Sequence, residues 1–356
     1  MTDDNRSARL ARAALPVFAI LSFALGVGST IAVAGDTLGY DYQAYVAAAD
    51  RLIHGLPLYD PTVDVAGPFA IYLYPPPFAV GFVPFALLSS QVGLWIWICG
   101  CVAMAVGAIA ILPTSVSVRW AILLLAGLDW PVAYAIKLGQ VGPLLLLVFA
   151  LGWRFLRSER ALGIVGAMGA LIKVQPALLF VWALLTGRRR MIATGLAVGA
   201  GAVLLTLPLV GIGAWVDYVR LLGKVSAPVT TPHNLTAGAV TFQAGLPQAV
   251  ANAVWIAGVL VTIAVWAFAS RRRSVEVGYL VTIVASQLLS PLLWDHYAML
   301  LLLPVAWLLA RRQWWAVLIP LATSLPLLAI TPPVVYPLAF LACLIALVLV
   351  PREAAA

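Results

Sequence analysis

Short clusters of arginine interrupt an otherwise apolar chain at intervals too small for soluble domains to form between them. After Arg6, Arg9 and Arg12 come Arg119; Arg154 with Arg157 and Arg160; Arg188 to Arg190; Arg271 to Arg273; Arg311 with Arg312; and Arg352. Such clusters mark segments retained on the cytoplasmic side of a membrane. Between one cluster and the next the chain must leave and return, so each interval holds an even number of crossings. Six outward excursions and about twelve transmembrane helices follow, with both termini cytoplasmic. The expected fold is an all-α polytopic membrane protein, a single integral membrane domain over residues 1–356. Composition agrees: 63% of the residues are hydrophobic and 10% charged, against roughly 25% charged in soluble domains. A formal net charge of +8 could suggest nucleic acid. The basic residues form topogenic clusters instead of a continuous stripe, however, and no basic-aromatic soluble module accompanies them. The partner they imply is the bilayer, with no nucleic acid.

The first apolar run, residues 13–34, follows the N-terminal arginines and ends in Ala32-Val33-Ala34, a small-residue pattern like a signal-peptidase site. Its 22 residues exceed a signal-peptide core and approach the ~20 needed to cross a bilayer. It reads as a retained first helix. Residues 35–77 then form a long first external loop, and residues 214–248 a second. The hairpin between Arg160 and Arg188 has only 27 residues. Two arms of ~13 residues rise about 20 Å each, short of a ~30 Å hydrocarbon core. Its tip, with Lys173, should therefore lie below the membrane surface, where a charge is tolerated only in a polar cavity. The competing geometry is one long tilted helix with Lys173 snorkelling, which breaks the parity of the arginine clusters.

The first loop holds Asp36, Asp41, Asp50, Asp60 and Asp64, five of the chain's thirteen acidic residues. Within it Tyr42, Tyr45, Val46, Ala49 and Ile53 recur near helical spacing, predicting an amphipathic helix at the membrane interface with Asp41 at its start. A carboxylate there can be a helix cap, or a general base that deprotonates an acceptor hydroxyl near the bilayer surface. Asp36 competes for that role. Tyr72-Leu73-Tyr74-Pro75-Pro76-Pro77 predicts a rigid aromatic turn before the chain re-enters lipid. Lys137, Lys173, Arg220 and Lys224, with His54, His233 and His296, lie on the external side against the positive-inside trend. Cations held there could bind phosphate.

Cys99, Cys101 and Cys343 sit inside apolar runs and read as packing residues. Asp295 and His296 lack the further convergent ligands of a metal site. No metal and no cofactor is expected. Asn234-Leu235-Thr236 fits a glycosylation sequon.

The motifs Asp41-Tyr42 with Tyr45, His54-Gly55-x-Pro57-x-Tyr59-Asp60, Tyr74-Pro75-Pro76, Gly139-Gln140, Lys173-x-Gln175-Pro176 and Ser290-Pro291-x-x-Trp294-Asp295-His296 occur in this order. Together, over about 300 residues, the chain resembles the polytopic glycosyltransferases of family 87, in the GT-C class. The resemblance implies an inverting transfer on the external or periplasmic face of the plasma membrane. The donor would be a polyprenyl-phosphate sugar, commonly mannose, and the acceptor a glycolipid or glycan. It implies that Asp41 is the base, that Lys173 and His296 contact the donor phosphate, and that Gln140 is their hydrogen-bonding neighbour. Arg220 and Lys224 join that group on charge alone. Asp36, Tyr45, His54, Tyr74 and Asp295 are candidates for acceptor or sugar contact. A polyprenyl-phosphate-arabinose-dependent arabinofuranosyltransferase is the alternative within the same chemistry. A lipid-sugar transporter or flippase is the alternative outside it, since intramembrane ionisable residues also mark transport paths; no repeated half with matching broken helices supports it.

Overall fold

A computed structural model describes residues 3–59, 71–224 and 227–351, with the backbone alone for residues 3–12. Asp60, Asp64 and Arg352 lie outside the described residues, and the side chains of Arg6, Arg9 and Arg12 are not described. Every regular element among the described residues is helical. In chain order the first five helices are α1 (Asp3–Ala32), α2 (Tyr40–Ile53), α3 (Pro76–Gly81), α4 (Val83–Ala86) and α5 (Ser90–Ala110). Then come α6 (Val116–Leu128), α7 (Trp130–Leu138), α8 (Gly142–Arg154), α9 (Glu159–Ile172), α10 (Leu178–Leu185) and α11 (Arg189–Lys224). The last six are α12 (Ala237–Gln243), α13 (Gln248–Arg272), α14 (Val275–Leu288), α15 (Leu302–Ala310), α16 (Leu318–Thr323) and α17 (Val335–Leu349).

Among the described residues four helical stretches are long and apolar enough to cross a membrane: Ala13–Ala32, Ser90–Ala110, Arg189–Lys224 and Gln248–Arg272. A fifth is formed if α6 and α7, bent by 67° at Asp129, count as one span. These long helices turn large apolar side chains outward, Leu196, Leu204, Leu205, Leu209 and Ile212 on α11 among them. Water would penalise such a surface and lipid tails accept it. Two of the shorter helices are buried almost throughout. From Val277 to Gln287 every residue of α14 is buried, and so is every residue of α15 before Ala310. The chain is thus a helical membrane protein in which long helices flank a core of short ones.

α2 forms where the period of its apolar residues places it. Its buried face is Tyr42, Ala44, Tyr45, Ala48 and Ala49. That face packs on protein, against α3 and α4, and Ile53 is left exposed. The hairpin at Lys173 is also short. α9 has 14 residues, about 21 Å of rise. Lys173 then breaks the helix with extended backbone (φ −147°, ψ 148°), so the single continuous helix is excluded. A 3-10 turn at Gln175–Ala177 leads into α10. The expected loop at 214–248 opens with the last turns of α11 and includes α12.

Asn234, the acceptor position of the sequon, is fully buried. Its Nδ2 donates to the Pro228 and Pro291 carbonyls at 2.8 and 2.9 Å, and its Oδ1 accepts from Leu293 N at 2.9 Å and Thr236 N at 3.2 Å. An amide spent this way pins the second loop to the segment preceding His296 and is inaccessible to a glycosylating enzyme.

Two further contacts organise the bundle. Ser22 Oγ donates to Leu124 O at 3.0 Å, and four residues on Gly26 lies against the Gly127 backbone, so α1 and α6 run parallel in direct contact. A Cβ on either glycine would collide with backbone atoms, which cannot swing aside. In the first turn of α14, Glu276 accepts from Trp153 Nε1 at 2.8 Å, Trp307 Nε1 at 2.9 Å and Arg311 at 3.0 Å. One carboxylate thereby ties α8, α14 and α15 together. Gly127→Ala is expected to lower stability by roughly 1–3 kcal/mol, the usual cost of overpacking. Thermal unfolding in detergent checks this, with Gly107→Ala, which meets open space, leaving the midpoint nearly unchanged.

Candidate active site

The start of α2 is set by Gly39. Its left-handed backbone (φ 71°) turns the chain sharply, and its N–H donates to Lys137 O at 2.8 Å, fastening the loop to the end of α7. Asp41 follows in the first turn of α2. Its side chain is half-buried, and among the described residues no hydrogen bond or ion pair engages its carboxylate. Four residues on, Tyr45 is fully buried with its ring edge-on to Tyr74, Phe78, Phe82 and Trp97. Its hydroxyl meets that of Tyr74 at 2.9 Å. Gln140 Nε2 donates to the same Tyr74 hydroxyl at 3.3 Å, and Gln140 Oε1 accepts the Gly142 N–H at 2.6 Å. Trp97 Nε1 donates to Gly139 O at 2.6 Å. The Gly139-Gln140 turn and the Tyr74 turn therefore form a fixed aromatic wall behind Asp41.

Lys173 reaches this wall from the tip of the α9 hairpin. Its ammonium donates to Tyr297 Oη at 2.6 Å, sits 4.0 Å from the Tyr297 ring centroid and lies 5.6 Å from that of Tyr74. A hydroxyl acceptor and two π-faces give the charge partial solvation without neutralising it. Gln175 Nε2 donates to Ser290 Oγ at 3.3 Å, joining this tip to the segment that carries His296. His296 is buried, and both of its ring nitrogens lack a hydrogen-bond partner. Nδ1 lies 3.4 Å from Asp295 Oδ1, close enough for charge attraction without the direction of a hydrogen bond.

Asp41 is near enough to Lys173, His296 and Asp295 for its charge to feel each of theirs. Desolvation raises the Asp41 carboxyl above its ordinary value, His296 and Lys173 oppose that rise, and Asp295 adds to it. A carboxylate left unengaged while its neighbours in the fold are tied down suits a proton acceptor.

Several sequence candidates lie elsewhere or are engaged within the protein. Arg220 is exposed and pairs with Asp217 of its own helix at 3.3 Å. Lys224 is exposed at the end of α11. Asp36 is exposed in the 3-10 turn Gly35–Thr37, and His54 is exposed against Asp50 at 3.4 Å. Gln140, Tyr45 and Tyr74 spend their polar atoms holding the wall. Sequence reasoning missed Tyr297, which carries Lys173, and Trp130, whose Nε1 donates to Asp295 Oδ2 at 3.3 Å. The signal for Trp130 was Asp129-Trp130-Pro131, polar and helix-starting residues inside an apolar run. Cys101 and Cys343 are buried and Cys99 exposed, all three free.

Residues 72–293 match the sequence profile of glycosyltransferase family 87. The chain belongs to that family. It is therefore a glycosyltransferase, and Tyr74, Gln140 and Lys173 lie within the matched stretch, whereas Asp41, Asp295 and His296 flank it. A relative from Mycolicibacterium smegmatis, the polyprenol-phosphate-mannose-dependent alpha-(1-2)-phosphatidylinositol pentamannoside mannosyltransferase, is 28% identical over 321 residues, 85% of this chain and 77% of the relative. No solved structure matches the chain significantly. If the wall is what holds the first loop of this glycosyltransferase, Tyr45→Phe should cost about 1 kcal/mol, one hydrogen bond. Tyr45→Ala should cost about 3–5 kcal/mol, as for a buried aromatic, and thermal unfolding with proteolysis of the first loop measures both.

Proposed function

We propose that this glycosyltransferase moves a mannosyl residue from a polyprenyl-phosphate donor to a glycolipid or glycan acceptor, with inversion, on the external face of the plasma membrane. The observation that carries the reading is the convergence of an unengaged carboxylate, Asp41, with two cationic or cation-forming groups, Lys173 and His296, from three distant parts of the chain. The name of the mycobacterial relative supports polyprenol-phosphate mannose as donor.

Asp41 takes the proton of the acceptor hydroxyl, and the freed oxygen forms a bond to the anomeric carbon. The bond from that carbon to the phosphate oxygen breaks, and the electron pair leaves with polyprenyl phosphate toward Lys173 and His296. Partial desolvation makes Asp41 a better base than a free carboxylate. Fixed cations meet the phosphate charge as it develops. The lipid tail stays in the bilayer, and the reading invokes no metal or cofactor.

The same reading threads the chain twelve times. The segments are α1, α5, α6 with α7, α8, α9, α10, α11, α13, α14, α15, α16 and α17, with α2 to α4 and α12 outside the count. Successive arginine clusters then fall at alternate connections, on the cytoplasmic side with both termini. Parallel packing of α1 and α6 supports equal directions for the first and third passes. Asp41, Lys173 and His296 then share the opposite side.

Asp41→Asn is expected to reduce transfer at least 10²-fold, the low end for loss of a general base, with the thermal midpoint within a degree or two of wild type. Radiolabelled polyprenyl-phosphate mannose and a crude lipid-acceptor extract, in detergent, measure it; turnover near wild type would remove Asp41 from the role. Lys173→Ala should raise the donor KM at least tenfold, whereas Arg220→Ala and Lys224→Ala should leave it unchanged.

A further inference from the structure

Asp295 stands beside His296, yet both of its oxygens are occupied by the protein. Oδ1 accepts the His296 backbone N–H at 2.7 Å and faces His296 Nδ1 at 3.4 Å. Oδ2 accepts the indole N–H of Trp130 at 3.3 Å. Trp130 is itself immobilised on three sides. Its backbone N–H donates to Ser324 Oγ at 3.1 Å, and its ring stacks on Tyr134 at 4.8 Å and 15°. The preceding residue, Asp129, is 1% exposed and accepts from the hydroxyls of Thr323 and Ser324, each at 3.3 Å. This anchor lies at the 67° bend between α6 and α7. The indole therefore starts from a rigid point and ends on the carboxylate that lies 3.4 Å from His296 Nδ1.

We propose that Trp130 and Asp295 are positioning residues for His296. Trp130 fixes the carboxylate of Asp295, and that carboxylate fixes the orientation of the His296 imidazole with a proton on Nδ1. The inference rests on the reading that His296 meets the donor phosphate. A carboxylate 3.4 Å from Nδ1 favours a proton on that nitrogen by charge alone, and a ring nitrogen held this way determines what the other can do. Nε2, buried and without a partner, is then the ring position left for the donor phosphate, to which it donates once a second proton makes the ring imidazolium, since the neutral ring with Nδ1–H offers only a lone pair there. The assignment separates Asp295 from Asp41: one carboxylate is fully engaged within the protein and orients a neighbour, and the other is left for the substrate.

The chain contains three histidines, so ¹⁵N-histidine labelling of the full-length protein gives at most three imidazole patterns, and His296→Gln identifies the one in question. At a pH where the imidazoles are neutral, His296 should carry its proton on Nδ1 in wild type and shift toward Nε2–H in Asp295→Asn. An Nε2–H pattern in wild type, or no change in Asp295→Asn, overturns the proposal. Kinetics with polyprenyl-phosphate mannose test Trp130. Trp130→Phe, which keeps a ring on Tyr134, should raise the donor KM about five- to tenfold with kcat within twofold. The double variant Trp130→Phe/Asp295→Asn should be no worse than Asp295→Asn, because Trp130 acts only through Asp295. Fully additive losses overturn that link. If wild type does not use the mannose donor, the donor reading fails while the ¹⁵N pattern still decides the positioning of His296.

Discussion

Hydrocarbon solvates neither a charge nor an unpaired peptide group, and that constraint sorts the helices of this glycosyltransferase into two kinds. The long apolar helices α1, α5, α11 and α13 turn side chains outward. The short helices α8, α14 and α15 are almost wholly enclosed by protein, and α9 is enclosed on one side, so their ends need not reach the membrane surface. Each helix end exposes peptide groups without partners, and the enclosed breaks are where polar residues can stand at depth. Gly139-Gln140, Lys173 and the Ser290 to His296 segment all occupy such breaks.

The acidic residues show how the same constraint separates scaffold from chemistry. Glu276 takes three donors, Asp129 two hydroxyls, and Asp295 an indole and a backbone N–H. Each carboxylate is stabilised by those bonds and ties separate elements together. Asp41 has none of these partners among the described residues, although its charge feels those of Lys173 and His296. The aromatic wall explains how it can remain so. Tyr45, on the next turn of α2, is locked by Tyr74 and three further rings, so the helix is held by its buried face and the carboxylate is not needed to hold it.

Lys173 shows a second solution to the same problem. Tyr297 offers an acceptor oxygen and a π-face at once, which accommodates an ammonium without an opposite charge in contact. Burial lowers the pKa of that ammonium to about 7, against the pull of Asp41, and an incoming phosphate would favour its charged form. A carboxylate in the place of Tyr297 would have neutralised it.

Much of this was legible in the chain. The apolar period of residues 42–49 predicted α2, the 27 residues between Arg160 and Arg188 predicted a hairpin too short to be a pair of full spans, and polar residues in apolar runs marked Lys173 and His296. These are statements about distance along one element, and helical rise converts spacing into length without reference to any neighbour. Neighbours are what spacing does not encode. Gln140 looked available and is bound to Tyr74 and Gly142; Arg220 and Lys224 carried the right charge on an exposed helix end; Asn234 fitted a sequon and is buried in four hydrogen bonds. Trp130, 165 residues from Asp295 in sequence, was invisible as its partner. The sequence by itself determined that the chain is a helical membrane protein and which residues were chemically worth noticing, because local periodicity and the cost of charge in lipid act on each segment separately. Only the tertiary structure decided which of those residues are already engaged and which remain free, because that depends on what each side chain meets.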